Sequence, residues 1–186
     1  MIDMNLNKMI KEFEKKEKEQ TEVLEQKRAL VRDCSNAIKE IHRRKLEPAK
    51  KLITNVEEGL KKLKKYEKDF AVHLEHIEQE YTEAIVLLEI VETKNCSPPT
   101  KLKVSDISYL NGLMDVIGEL RREMLDLLRK DNYKEAERMF DAMEKIFESV
   151  EPVQFSNSIV PGFRRKQDVA RRQIEQARSE ILYSKR

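Results

Sequence analysis

Apolar positions recur every three or four residues along almost the whole chain, and nowhere do they alternate with polar ones over a convincing run. That is the period of a helix face, so the chain reads as all-α with essentially no sheet. Breaks are few. Pro48 can open a helix as its first residue, and two prolines in Asn95-Cys96-Ser97-Pro98-Pro99-Thr100 make the clearest loop. Ser105 is placed to cap the helix that follows. Lys130-Asp131-Asn132 and the stretch from Glu151-Pro152 to Ser158 are further breaks, and Pro161 restarts a helix. These signals predict helices near 3–45, 48–66, 67–94, 105–129, 132–149 and 160–184, with a soft boundary around Lys64–Asp69. Short connections between long helices predict antiparallel neighbours in a bundle that forms one domain over residues 1–186.

The segment from residue 67 to 94 is the most apolar, and it carries charge in an awkward place. With Glu80 at the origin and about 100° per residue, Ile77, Tyr81, Ala84, Ile85 and Leu88 fill an arc from about 40° to about 140°. Glu75, Glu78, Thr82 and Glu89 fall opposite and are expected to face solvent. Glu80 and Glu83 share a flank with His73 and His76, and the same flank carries Leu87 and Ile90 further on. Two readings stand for this column: a polar seam between helices, or oxygen ligands for a hard cation such as Mg²⁺ or Mn²⁺.

The segment from 105 to 129 adds Asp115 and Glu119, four residues apart on one face and bracketed by Gly112 and Gly118. Glycine inside a helix costs roughly 0.5–1 kcal/mol against alanine, and neither stands where a cap needs it. Close approach of another helix or of a substrate backbone to that face is the expectation. Two acidic pairs on adjacent antiparallel helices make a four-carboxylate cluster, which repels itself unless cations neutralise it. The matching chemistry is metal-assisted attack of water on a phosphodiester. Exposed acids and helix-crossing glycines are the competing reading.

Composition narrows the picture. Of 186 residues, 39% are charged and 6% aromatic, with four glycines, five prolines and no tryptophan, the bias of long helices. Net charge is +2, so nucleic-acid binding has to come from local patches. One patch is Arg43-Arg44-Lys45 with Lys50-Lys51, and another is the arginine-rich face of the last helix. There Phe163, Ala170, Ile174, Ala177 and Ile181 form the apolar stripe, with Arg164, Arg165, Arg171 and Arg172 mostly opposite. Arg121 and Arg122 follow the second acidic pair closely. Forked guanidiniums suit phosphate contact, and a solvated salt-bridged face is the alternative. The two cysteines, Cys34 and Cys96, are expected to be plain core or surface residues, without a disulfide framework. The N-terminal stretch has no apolar secretory core and no run spans a membrane, so a soluble cytoplasmic protein is expected.

Gln79-Glu80-Tyr81-Thr82-Glu83-Ala84, then Tyr109-Leu110-Asn111-Gly112 and Asp115-Val116-Ile117-Gly118-Glu119-Leu120, resemble the translin/trax family, on its trax side. The likeness extends to Pro161-Gly162-Phe163-Arg164-Arg165 and weakens before about residue 50. The resemblance implies an all-α fold of six to seven helices that assembles into a hollow oligomer. It also implies a Mg²⁺-dependent endoribonuclease, with Mn²⁺ as an alternative ion, that cleaves single-stranded RNA inside the assembly. The family's acidic residues match Glu80, Glu83, Asp115 and Glu119 as metal ligands and catalytic groups. His73, His76, Arg121, Arg122, Arg164, Arg165, Arg171 and Arg172 are the candidate RNA contacts. The chain is shorter than eukaryotic trax and resembles archaeal trax-like proteins, which form homo-oligomers without a translin partner. An octamer, a closed ring and a dimer read alike in the sequence. A non-catalytic, translin-like binder of single-stranded RNA or DNA is the alternative.

Overall fold

The computed structural model describes residues 6–184. Its elements are α1 (Asn7–His42), α2 (Leu46–Leu63), a 3-10 turn (Lys64–Tyr66), α3 (Glu67–Thr93), the single turn α4 (Pro99–Leu102), α5 (Asp106–Leu128), α6 (Tyr133–Val150) and α7 (Phe163–Ser184). No strand occurs among the described residues. No helix among them is long and apolar enough to cross a membrane.

Each helix buries one seam, and the spacing of that seam explains why it is a helix. In α2 the buried residues are Ala49, Ile53, Val56, Leu60 and Leu63, in steps of four and three. In α6 they are Ala136, Met139, Met143, Ile146 and Val150, in the same steps. The expected stripe of α7, from Phe163 to Ile181, is buried throughout. In α1 burial begins only at Val23, and the part before it is almost wholly exposed. The seams of all six long helices meet in one continuous core, into which Leu102 of α4 also reaches.

The ends differ from expectation in physical detail. Residues 3–5 of the expected first helix lie outside the described residues. The helix ends at His42 because Arg44 takes a left-handed conformation (φ 60°). Pro48 is the third residue of α2 rather than its first, still within the turn where a missing N–H costs nothing. The soft boundary near Lys64 is a 3-10 turn, and a non-helical Phe70 (φ −133°) kinks the start of α3. Ser105 caps α5, its Oγ accepting from Ser108 N at 3.1 Å. The last helix starts at Phe163, two residues after Pro161.

Sequential helices pack back on one another: Gly59 lies on Leu30, and Gln167 and Arg178 of α7 reach Val150 and Glu144 of α6. The pair α3 and α5 corrects the expectation of antiparallel neighbours. Ser108 bonds to Glu75, Gly112 lies on Gln79 and Thr82, and the carboxylates of Asp115 and Glu119 both act on Glu83. The two helices therefore advance in the same direction. The connection 94–105 is long enough to carry the chain back before α5 begins, which a short turn cannot do.

Burial on α3 brings a second correction. Glu78 and Thr82, expected to face solvent, are 2% and 0% exposed. α3 is covered by α1, α2 and α5 at once, so its buried arc is wider than one stripe. Glu78 is tolerated there because it accepts from Lys64 Nζ at 2.8 Å and from Ser105 N at 2.9 Å, tying the turn after α2 to the start of α5.

Candidate active site

A cleft of about 510 Å³ opens where α3, α5 and α7 meet. α3 contributes Gln79, Glu80 and Glu83, α5 contributes Met114, Asp115 and Gly118, and α7 contributes Arg165, Lys166, Val169 and Gln173. Three of the four acids expected to act together thus share one wall.

The two glycines set the depth of this cleft. A Cβ at Gly112 would stand 2.7 Å from Thr82 Cβ and 2.8 Å from the Gln79 carbonyl oxygen. Close helix approach at Gly112 is what brings Asp115 within reach of α3. At Gly118 the nearest group is the Gln173 amide, at 3.3 Å from where a Cβ would be. There the missing side chain leaves room in the cleft itself.

Asp115 is held from two sides. Gln79 Nε2 donates to its Oδ2 at 2.9 Å, and Lys166 Nζ reaches both oxygens, Oδ1 at 2.5 Å. Glu83 is pushed up to about 8, first by burial and then by the charges of Asp115, Glu80 and Glu119, against the pull of Lys166. Glu80 moves the same way, through burial and Asp115, with Lys166 and Lys27 opposing. Negative charge is therefore in excess where Glu83 stands, and a proton stays on it at neutral pH.

Glu119 is turned away from the cleft lining. His42 Nε2 meets its Oε2 at 2.5 Å, and Arg122 stands 3.6 Å off. His42 Nδ1 bonds to Glu123 at 2.9 Å, and Arg44 pairs with the other Glu123 oxygen. Burial opposes a charge on His42, but the two carboxylates outweigh it and carry the imidazole up to about 9. Glu119 in turn falls below its usual range, through the hydrogen bond from His42. Among the described residues, no three His, Cys, Asp or Glu side chains are drawn together closely enough to hold an ion as they stand.

The expected RNA contacts scatter. Arg165 lines the cleft. Arg121 pairs with Glu180 of α7 and Arg122 with Glu119. Arg164 and Arg171 line a separate pocket with Glu151 and Asp168, and Arg171 stacks over Phe147 at 5.5 Å. Arg172 is exposed on α7. His73 and His76 do not line the cleft; His73 Nδ1 is buried without a hydrogen bond, and burial with Lys27 and Lys166 lowers His76. The basic cluster around Pro48 is largely neutralised within the chain: Arg43 pairs with Glu40, Arg44 with Glu123, and Lys50 with Glu47 and Glu92. Both cysteines are free.

Sequence reasoning missed Lys166, Gln173 and His42. One signal was available. Lys166, Gln173 and Glu180 recur at seven-residue intervals beside the apolar stripe of α7, and they meet Asp115, Gly118 and Arg121 in turn along α5. His42 gave no local sign, since its partners lie 77 and 81 residues away.

An all-α bundle with an acidic cleft between two central helices, closed on one side by a basic terminal helix, is the class these features define. The chain belongs to the translin/trax family. An uncharacterised protein of Methanocaldococcus jannaschii is 32% identical over 182 residues, covering 95% of this chain and 81% of that one. A structure of the AfC3PO–duplex RNA complex matches with a TM-score of 0.89 and 31% identity, over 98% of this chain and 97% of that one. AfC3PO alone matches at 0.87 and 32%, with the same coverage. Apo-NeC3PO matches at 0.88 over 99% of both chains; at 23% identity it shows the fold alone. No family model matches the chain.

Proposed function

We propose that this chain is a divalent-cation-dependent endoribonuclease whose cleft takes RNA between α3, α5 and α7, in an assembly of several copies. The observation that carries the reading is the shared wall of Glu80, Glu83 and Asp115 with Lys166 and Arg165 facing it. The donor set fits a hard cation. All three are carboxylates, Asp115 already holds an ammonium, and Glu83 keeps a proton because it is buried and stands among other carboxylates.

Glu80, Glu83 and Asp115 would hold Mg²⁺ or Mn²⁺, and Glu119 would join them on leaving His42. Such an ion supplies Lewis acidity, activating water and stabilising charge on the phosphate. The chain's own residues do the rest. Gln79 fixes the orientation of Asp115, Arg165 and Lys166 offer positive charge to a phosphate, and Met114 and Val169 supply apolar lining. Glu83, pushed up to about 8, would have to release its proton to serve as a ligand. AfC3PO has been solved with duplex RNA, which supports RNA as the ligand class here. Whether single-stranded RNA, duplex RNA or single-stranded DNA is preferred is read by offering all three.

A second reading, an RNA-binding subunit without hydrolysis, draws on the internal pairing of Asp115 with Lys166 and of Glu119 with His42. Purified protein with end-labelled RNA separates the two. Mg²⁺-dependent internal cleavage that Glu80→Ala abolishes while RNA binding persists supports the nuclease. Binding without cleavage in Mg²⁺ or Mn²⁺ supports the second reading, and neither binding nor cleavage at low salt removes both.

A further inference from the structure

Lys166 occupies the place in the cleft where a cation is expected. Its ammonium reaches both oxygens of Asp115, and its charge also acts on Glu80 and Glu83. We infer that Lys166 is a displaceable counter-ion: it holds Asp115 until a divalent cation takes its place, and the freed ammonium then binds an RNA phosphate. This rests on the metal-dependent reading above.

Three features carry it. The ammonium on both oxygens, with Gln79 Nε2 also on Oδ2, leaves Asp115 about one free lone-pair site and sets a positive charge against it, so ion and Lys166 compete for Asp115. Asp115 does not depend on Lys166 for its orientation, because Gln79 Nε2 holds Oδ2 from α3. The attachment of α7 to α5 does not depend on it either, since Asn111 bonds to the Pro161 carbonyl at one end and Arg121 pairs with Glu180 at the other. Lys166 is thus a tie that neither the fold nor the carboxylate needs. Its four-carbon stem starts in the first turn of α7 beside Arg165, on the rim of a cleft with room for the ammonium to swing. The partly open surroundings of the pair, 23% and 28% exposed, make exchange affordable. Lys166 is then a counter-ion to Asp115 before the divalent cation arrives and a phosphate contact afterwards.

The test titrates Mn²⁺ into the RNA-free protein by calorimetry, for wild type, Lys166→Met, Lys166→Arg and Asp115→Asn. Lys166→Met is expected to bind Mn²⁺ at least fivefold tighter than wild type, Lys166→Arg within about twofold of it, and Asp115→Asn much more weakly. At saturating Mn²⁺, on ice and before cleavage, Lys166→Met is expected to lower the slope of log Kd for RNA against log salt by about 0.7–0.9, one phosphate contact. Wild type that binds Mn²⁺ through Asp115 while Lys166→Met binds no tighter overturns the counter-ion role and leaves the metal reading standing. An unchanged salt slope overturns the phosphate role. Absence of any Mn²⁺ binding that Asp115→Asn removes overturns the metal reading and the inference with it. Lys166→Gln serves if the methionine variant fails to fold, and a lowered melting temperature with unchanged Mn²⁺ affinity assigns Lys166 a structural role and overturns the inference.

Discussion

Gly112→Ala and Gly118→Ala are the same chemical change six residues apart on α5, and the structure gives them opposite signs. At Gly112 the new methyl would meet Thr82 Cβ at 2.7 Å, Thr82 Cγ2 at 2.8 Å and the Gln79 carbonyl oxygen at 2.8 Å. Carbon atoms settle near about 3.5–4.0 Å, so α5 or α3 has to withdraw by roughly 0.7 Å or more. Neither obstacle can turn aside. One is backbone, and the other is a β-branched side chain whose Oγ1 is bonded to the Glu78 carbonyl at 2.8 Å. Overpacking costs about 1–3 kcal/mol, and removing a helix-interior glycine returns about 0.5–1, for a net loss of about 1–2 kcal/mol. In a chain of this size that lowers Tm by about 2–8 °C. At Gly118 the nearest atom is the far end of Gln173, at 3.3 Å, and it can rotate away. The propensity gain then survives, and Tm rises by about 1–4 °C. Thermal melts followed by circular dichroism, at one fixed protein concentration, measure both. Gly112→Ala as stable as wild type, or Gly118→Ala losing as much as Gly112→Ala, would refute the assignment of Gly112 to helix contact and Gly118 to cleft space.

Other expected outcomes follow from the charges. His42→Ala leaves Glu123, 3% exposed, with Arg44 as its remaining partner and is expected to cost about 1.5–3 kcal/mol near neutral pH. His42 lies near 9 in the folded chain against 6.5 unfolded, so its contribution is full below 6.5 and lost as pH rises through 9; urea midpoints of variant and wild type should converge across that window. Glu83 lies near 8 against 4.5, so the folded chain holds a proton that the unfolded one releases, and stability falls from about pH 4.5 to about pH 8. Glu83→Gln is expected to flatten that slope, and an unchanged slope would place the titration elsewhere. Mg²⁺ is expected to raise the Tm of wild type and not that of the Glu80→Ala/Glu83→Ala double variant, an equal rise in both removing the ion from this cleft.

Most of the architecture was legible because each helix buries a seam whose three-and-four spacing survives in the sequence, as in α2 and α6. The reading failed at Glu78 and Thr82 because a single wheel cannot say how many neighbours a helix has. α3 has three, and its polar flank is filled by Lys64 and by the start of α5. The direction of α5 was misjudged for a related reason: the path of residues 94–105 is a tertiary fact. In the site, the glycine-bracketed Asp115 was readable locally, since the close approach at Gly112 is written into the choice of residue. The two acidic pairs were combined into one cluster from their spacing, and the family resemblance matched the same four acids. Lys166 left a trace in the seven-residue recurrence on α7, but its partner 51 residues away was not readable from it, and His42, paired across 77 residues, left no mark on local spacing.

Whether the cleft takes a divalent cation between α3 and α5 is measured directly by anomalous diffraction from crystals grown with Mn²⁺. The predicted result is a Mn²⁺ peak within bonding distance of Asp115 and of Glu80 or Glu83, with Lys166 withdrawn from Asp115 and the peak absent from crystals of Asp115→Asn. A Mn²⁺-saturated crystal with no peak in the cleft, and Lys166 still on Asp115, would contradict it.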